Sequence, residues 1–288
     1  MRLAALLLVP AMLSAADLKI DHVTLAGRDL KTMQAALAAA GIATVYGGAH
    51  ANSVTEMALA SFPDGSYLEA IAVRPGAADE AIARHEWAAF LKQPGMPCAW
   101  ALRSPDLAAH AARLRQAGVA VGPPVRAGRT RPDGVQIEWE TVNVGTETRG
   151  TFFPFLIHDL TARDLRAFPQ GKPVSREFTG VAYVVVAVPN LDRAIERYRS
   201  AFGLGAPARQ TDREFGAELA QFSGPVILAQ PLSADSWLAR RIAEYGPGPC
   251  AFLLSGHATS GASRSRWFGR EIVWLLSGSL GWHLGAVR

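Results

Sequence analysis

One element recurs along this chain, and the recurrence constrains the fold more than any other feature. Residues 20–41 read IDHVTLAGRDLKTMQAALAAAG, and residues 181–203 read VAYVVVAVPNLDRAIERYRSAFG. Each is a strand-forming run, a short turn, an amphipathic stretch and a glycine. Asp29 and Asn190 stand where a side-chain oxygen can accept the orphan N–H groups of a first helical turn. Leu30, Met33, Leu37 and Ala40 make one apolar stripe; Leu191, Ala194, Ile195, Tyr198 and Phe202 make the other. Gly41 and Gly203 fit the left-handed position that stops a helix. A third copy occupies residues 98–118, capped by Asp106 and stopped by Gly118. A fourth opens at Cys250, with a Gly/Ser-rich loop in place of most of the helix.

Three further strand-forming runs follow each opening, at 43–48, 56–62 and 66–73 in the first copy and at 121–128, 135–144 and 151–157 in the second. The expected fold class is therefore α+β, built from four strand-helix-strand-strand-strand (βαβββ) units. Paired units give two domains, residues 17–158 and 178–288, joined by a linker at 159–177 that holds Pro169, Gly171 and Pro173. Each unit should form a small curved sheet with its helix outside, so that pairing two encloses a concave groove of ligand size.

Residues 1–16 carry Arg2, an apolar run from Leu3 to Leu13, and Ser14 and Ala16 at −3 and −1 of a cut before Asp17, the pattern of a secretory signal peptide. A secreted or periplasmic location is the expectation, with no membrane span after removal because no later segment is long and apolar enough. With 29 basic against 25 acidic residues, scattered and netting +4, nucleic acid is not an expected partner. Cys98 and Cys250 open similar strands, PCAWAL and PCAFLL; equivalent places in separate copies predict two buried thiols rather than a bridge. Dinucleotide, Walker and serine-hydrolase signatures are absent.

Within FPDGSYLEAIAV (62–73), alternation puts Tyr67, Glu69, Ile71 and Val73 on one face and Leu68, Ala70 and Ala72 on the other. Both faces are apolar apart from Glu69, whose carboxylate must be desolvated unless something compensates it. On the first strand His22 shares a face with Ile20, Thr24 and Ala26. In the 135–143 run, Val135, Ile137, Trp139, Thr141 and Asn143 share the inward face, offering an indole wall and an amide to a ligand. Arg129 and Arg131 flank the turn before that run and suit a carboxylate. His50 follows Gly47 and Gly48 in a loop that can close over the groove; His158, His257 and His283 read as surface or core histidines.

The residues IDHVTLAG, YGGAH (46–50), FPDGSYLEAI, RTRPDGVQIEW (129–139) and FFPFLI (152–157) together resemble the glyoxalase-like domain family of the vicinal oxygen chelate superfamily. The resemblance spans residues 18–158 and rests, in the second half, on the module repeat alone. It implies a divalent metal (zinc, iron, manganese or nickel) held by a His on a module's first strand and a Glu on its last, here His22 and Glu69. The second module would carry Ala99 and Phe155 or Ile157 at these places, the third Tyr183 and Leu228, and the fourth Ala251. Two protein ligands are few for a metal. Three readings follow: a metal-dependent lyase, isomerase or dioxygenase-like enzyme with His22 and Glu69 as catalytic ligands; metal-free catalysis with Glu69 as a base whose pKa burial raises; and a non-catalytic protein that binds or sequesters a small molecule. In each the partner is a small carbonyl or carboxylate compound, contacted by His50, Arg131, Trp139 and Asn143.

Overall fold

A computed structural model describes residues 18–258, 261–276 and 281–288; the stretch 1–16, expected to be a signal peptide, lies outside them. The first half runs β1 (Ile20–Gly27), α1 (Leu30–Ala39), β2 (Val45–Ala49), β3 (Thr55–Ser61), β4 (Tyr67–Val73), α2 (Asp79–Ala83), α3 (Ala88–Leu91), β5 (Met96–Arg103), α4 (Leu107–Gln116), β6 (Val125–Thr130), β7 (Gln136–Val142), β8 (Phe155–Asp159) and α5 (Arg163–Ala167). The second runs β9 (Phe178–Ala187), α6 (Leu191–Phe202), β10 (Ala208–Asp212), β11 (Ala217–Gln221), β12 (Val226–Pro231), α7 (Trp237–Tyr245), β13 (Gly248–Gly256), β14 (Ser263–Trp267), β15 (Arg270–Leu276) and β16 (His283–Val287).

The helix starts follow the side-chain chemistry. Asp29, Asp106 and Asn190 accept N–H groups from Thr32, Ala109 and Arg193 respectively, and Ser236 does the same for α7. Gly203, at φ 63°, ends α6 in the left-handed region that a side chain would strain. No helix separates β13 from β14 among the described residues, in keeping with the Gly/Ser-rich loop there.

Two eight-stranded, barrel-like sheets result, ordered β2-β3-β4-β1-β5-β8-β7-β6 and β10-β11-β12-β9-β13-β16-β15-β14. In each half-sheet the first strand pairs parallel with the last, and the two half-sheets meet at an antiparallel central pair, β1 with β5 and β9 with β13. One apolar core runs beneath the outer helices of both sheets, and a second fills the inside of the C-terminal barrel. The linker is not loose: it contains α5, and Val174 and Ser175 donate backbone N–H groups to the Ser61 carbonyl.

Strand register corrects one alignment. Thr24 lies beside Glu69, and its counterpart Val185 lies beside Ile227, so Ile227 rather than Leu228 takes the place of Glu69 in the third module. A slip of one residue turns a strand's faces over: Ile227 joins the core inside the barrel, whereas Leu228 joins the core under the helices. Similarly Ala101 pairs with Phe155, which makes Phe155 and not Ile157 the second-module counterpart of Glu69. Cys98 and Cys250 are both free and fully buried, and burial pushes the Cys250 thiol up to about 12.

Candidate functional site

The N-terminal barrel encloses a cavity of about 340 Å³, at the lower end of the size range of small-molecule pockets. His22, Tyr67, Glu69 and Ile71 reach it from β1 and β4, Arg129 from β6, Trp139 and Thr141 from β7, and Phe155 and Ile157 from β8. His50, His85, Trp87 and Arg149 close it from loops, and Arg166 comes from α5. No described residue of the C-terminal half lines it.

His22 is fixed by Asp21. Where β1 pairs with β5, Ile20 faces Leu102 and His22 faces Ala101, so Asp21 is the extra residue of a β-bulge. The bulge lets consecutive side chains meet: His22 Nδ1 lies 2.6 Å from Asp21 Oδ1. Arg166 grips the same carboxylate with both Nη atoms, at 3.0 and 2.8 Å, and Arg163 adds a further hydrogen bond. Burial pushes the Asp21 carboxyl up, but Arg166, the His22 hydrogen bond and Arg163 outweigh it and hold the group well below the usual carboxylate range. An ionised carboxylate can only accept, so His22 carries its proton on Nδ1 and turns Nε2 to the cavity. The imidazole stacks on the Tyr67 ring, 4.8 Å away and 2° from parallel, while the edge of Phe155 meets it at 5.4 Å.

Glu69 stands between two imidazoles. Its Oε2 is 3.9 Å from His22 Nε2 and accepts a hydrogen bond from Thr24 Oγ1 at 3.4 Å; its Oε1 is 3.5 Å from His50 Nε2. His50 is oriented through Nδ1, 2.8 Å from Thr55 Oγ1. Burial again raises the Glu69 carboxyl, yet the His50 hydrogen bond, the fields of His22 and His50 and the charge of Arg129 bring it down to about 2. This reverses the expectation of a base raised towards neutrality: the hydrogen bond from His50, the neighbouring imidazoles and the Arg129 charge together outweigh desolvation.

Of the residues singled out by sequence, the fold gathers His22, Glu69, His50 and Trp139 around one cavity. Arg131 and Asn143 lie elsewhere. The Arg131 guanidinium binds Asp133 and the carbonyls of Leu165, Phe168 and Pro169, so it pins the linker instead of a ligand. Asn143 lies past the end of β7, its Cβ beside Gly122. Sequence reasoning missed Asp21 as a partner of His22, and it missed Arg166, which lies in a segment read as linker. The one available signal was an aspartate inside an otherwise apolar strand.

The family pattern places a divalent metal between His22 and Glu69, and the donors present do not fit one. The two imidazoles approach different oxygens of Glu69. Among the described residues no group of three or more His, Cys, Asp or Glu side chains is arranged to hold a metal ion. The places that the second module would use are Ala99 and the Phe155 ring, and Arg129 and Arg166 add positive charge to the lining.

The profile of the family described as "Glyoxalase-like domain" matches residues 20–202, more than half of the chain. No curated protein matches it. Among solved structures, a hypothetical protein from Staphylococcus aureus superposes with a TM-score of 0.65 at 14% identity, covering 93% of this chain and 98% of that one. A triple mutant of 4-hydroxymandelate synthase from Streptomyces coelicolor gives 0.64 at 14% identity, covering 94% and 92%. At this identity the likeness concerns the fold alone. The chain belongs to the glyoxalase-like domain family.

Proposed function

We propose that the N-terminal groove takes up a small oxygenated compound, carbonyl or carboxylate, and exchanges a proton with it through its imidazoles without a resident metal. The observation that carries this reading is the approach of two oriented Nε2 atoms, from His22 and His50, to one carboxylate inside the cavity. Each residue then has a task. Asp21 and Thr55 hold the two rings by Nδ1. His22 Nε2, bearing a lone pair, accepts a proton from the ligand. Glu69 is too acidic to act as the base at neutral pH; as a fixed anion it stabilises the imidazolium that forms. Trp139, Phe155 and Ile157 exclude water from the exchange.

The test is hydrogen–deuterium exchange at the carbon next to the carbonyl of pyruvate and phenylpyruvate in D₂O, followed by proton NMR. The wild-type protein is expected to accelerate exchange over buffer, and Glu69→Gln to lose about 100-fold of that rate, the scale of removing one fixed electrostatic partner of the transition state. A second reading, sequestration without chemistry, is favoured by the strongly depressed Glu69 carboxyl. It predicts saturable binding of the same compounds with no exchange. Neither binding nor exchange would remove both.

A further inference from the structure

We infer that Arg129 is the ligand's anchor, and that the groove selects a singly charged carboxylate carried on a flat apolar body. The inference rests on the groove being a ligand site. Four arginines line the cavity, and three are already neutralised within the protein. Arg126 lies 2.7 Å from Glu138, Arg149 is paired with Glu86, and Arg166 lies 2.8 Å from Asp21. Among the described residues Arg129 has no carboxylate within ion-pair distance, although it is only 5% exposed. Its hydrogen bonds go to two backbone carbonyls, Gly47 on β2 and Arg166 on α5. A guanidinium has five N–H donors, so these two contacts fix its plane and leave further donors for the cavity.

A buried cation without a counter-ion is unfavourable. Glu69 is the acid whose field reaches it, and that carboxylate is already shared by two imidazoles. Burial accordingly pushes the Arg129 guanidinium down. A planar carboxylate meets the rigid fork with two parallel hydrogen bonds, which a neutral carbonyl cannot do. A phosphate dianion carries one negative charge more than the single guanidinium neutralises, and that surplus must be desolvated beside ionised Glu69, so a single charge is preferred to two. The body of the ligand is set by the hairpin that carries Arg129. Arg129 pairs with Ile137 and Ala127 with Trp139, which places the half-buried indole two pairs along the ladder. An aryl carboxylate, its acid on Arg129 and its ring against Trp139, satisfies both.

The probes are benzoate, its neutral isostere benzamide, and phenyl phosphate, titrated calorimetrically into the full chain. Benzoate is expected to bind at least about 10-fold more tightly than either competitor, the size of one charge-assisted hydrogen bond. Arg129→Met should abolish that preference, and Arg129→Lys, which keeps the charge without the fork, should retain a fraction of it. Melting temperature reports whether each variant folds. If Arg129→Met does not fold, the Arg129 Nε–H resonance of the wild type decides: it should shift with benzoate and not with benzamide. Equal affinity for benzoate and benzamide overturns the anchor while leaving the groove a ligand site. A preference that survives in folded Arg129→Met overturns it too, as does an unmoved Nε–H resonance. Absence of binding by all three probes overturns the anchor together with the reading it rests on, whereas a benzoate preference without deuterium exchange keeps the anchor and discards the chemistry.

Discussion

Replacing Asp21 with Asn is expected to lower folding stability by about 3–5 kcal/mol at neutral pH, the cost of breaking a buried ion pair from one side. The carboxylate is fully buried and accepts hydrogen bonds from Arg166, Arg163 and His22. An amide of the same shape keeps one acceptor and turns an NH₂ towards donors, leaving Arg163 and Arg166 to share the single carboxylate of Asp159. Removing both sides at once should be milder. Asp21→Asn combined with Arg166→Met is expected to cost less than the two single changes added together, because the double variant buries no uncompensated charge at that contact. Asp21 titrates below its unfolded value, so its contribution is complete above the ordinary aspartate pKa and disappears only as pH falls towards the lowered one. Urea denaturation at pH 7 therefore reads the whole effect. A loss under about 1 kcal/mol, or strict additivity in the cycle, would show that Arg166 and Asp21 do not hold His22 in the way described.

This cluster also marks how far the sequence alone could be read. Local signals carried most of the architecture: Asp29, Asp106 and Asn190 cap the helices their spacing implied, and Gly203 ends α6 as its position suggested. Alternation placed Tyr67, Glu69 and Ile71 on the cavity side of β4, and period-two reasoning is dependable wherever one face must be buried. Non-local facts were not legible. The bulge at Asp21 exists because β1 and β5 pair out of step, which neither strand reveals alone. The five-residue α5 is too short for a periodic signal and sits among turn formers, yet it delivers Arg163 and Arg166 to the site. Arg129 and Arg131 look alike in RTRPDG, but Arg129 lies within β6 and Arg131 opens the turn that follows it. One lines the cavity, while the other holds carbonyls of the linker.

The two barrels share a topology and differ in what fills them. At the four places that face one another across the barrel, the first has His22, Glu69, Ala99 and Phe155, and the second has Tyr183, Ile227, Ala251 and Gly285. Polar groups around a cavity are thus exchanged for packing. A Cβ added to Gly285 would lie 2.9 Å from Trp274 Cε3 and 3.0 Å from both Ile272 and Leu253, so the glycine makes room for an indole that enters the barrel. Phe215 stacks on that indole and meets Trp267 and Trp237 edge-on. The space that holds a ligand-sized cavity in one half is occupied by aromatic rings in the other.

His283 is the polar exception in that plug, and it should make the protein acid-sensitive. Its ring lies 5.0 Å from Phe215, 4.7 Å from Trp237 and 5.2 Å from Trp274, and it is 9% exposed. Nδ1 has no hydrogen-bond partner and no acid lies within ion-pair distance among the described residues. Burial among apolar rings opposes the charged form and brings the imidazole down to about 4. Between that value and the unfolded one near 6.5, the unfolded chain binds a proton that the folded chain refuses, so stability falls as pH falls through this window. The expected loss between pH 7.5 and pH 4.5 is about 2–3 kcal/mol from this residue. His283→Leu keeps an apolar side chain of similar bulk in the plug and should lose that much less over the same interval. The window lies mostly above the carboxylate range, so Asp21 and Glu69, both depressed, contribute little to it. His85, also lowered by burial, acts in the same direction but is common to both proteins and cancels in the comparison. Parallel pH–stability curves for wild type and His283→Leu would mean that the ring is protonated inside the fold, and that the plug is wetter than its aromatic packing implies.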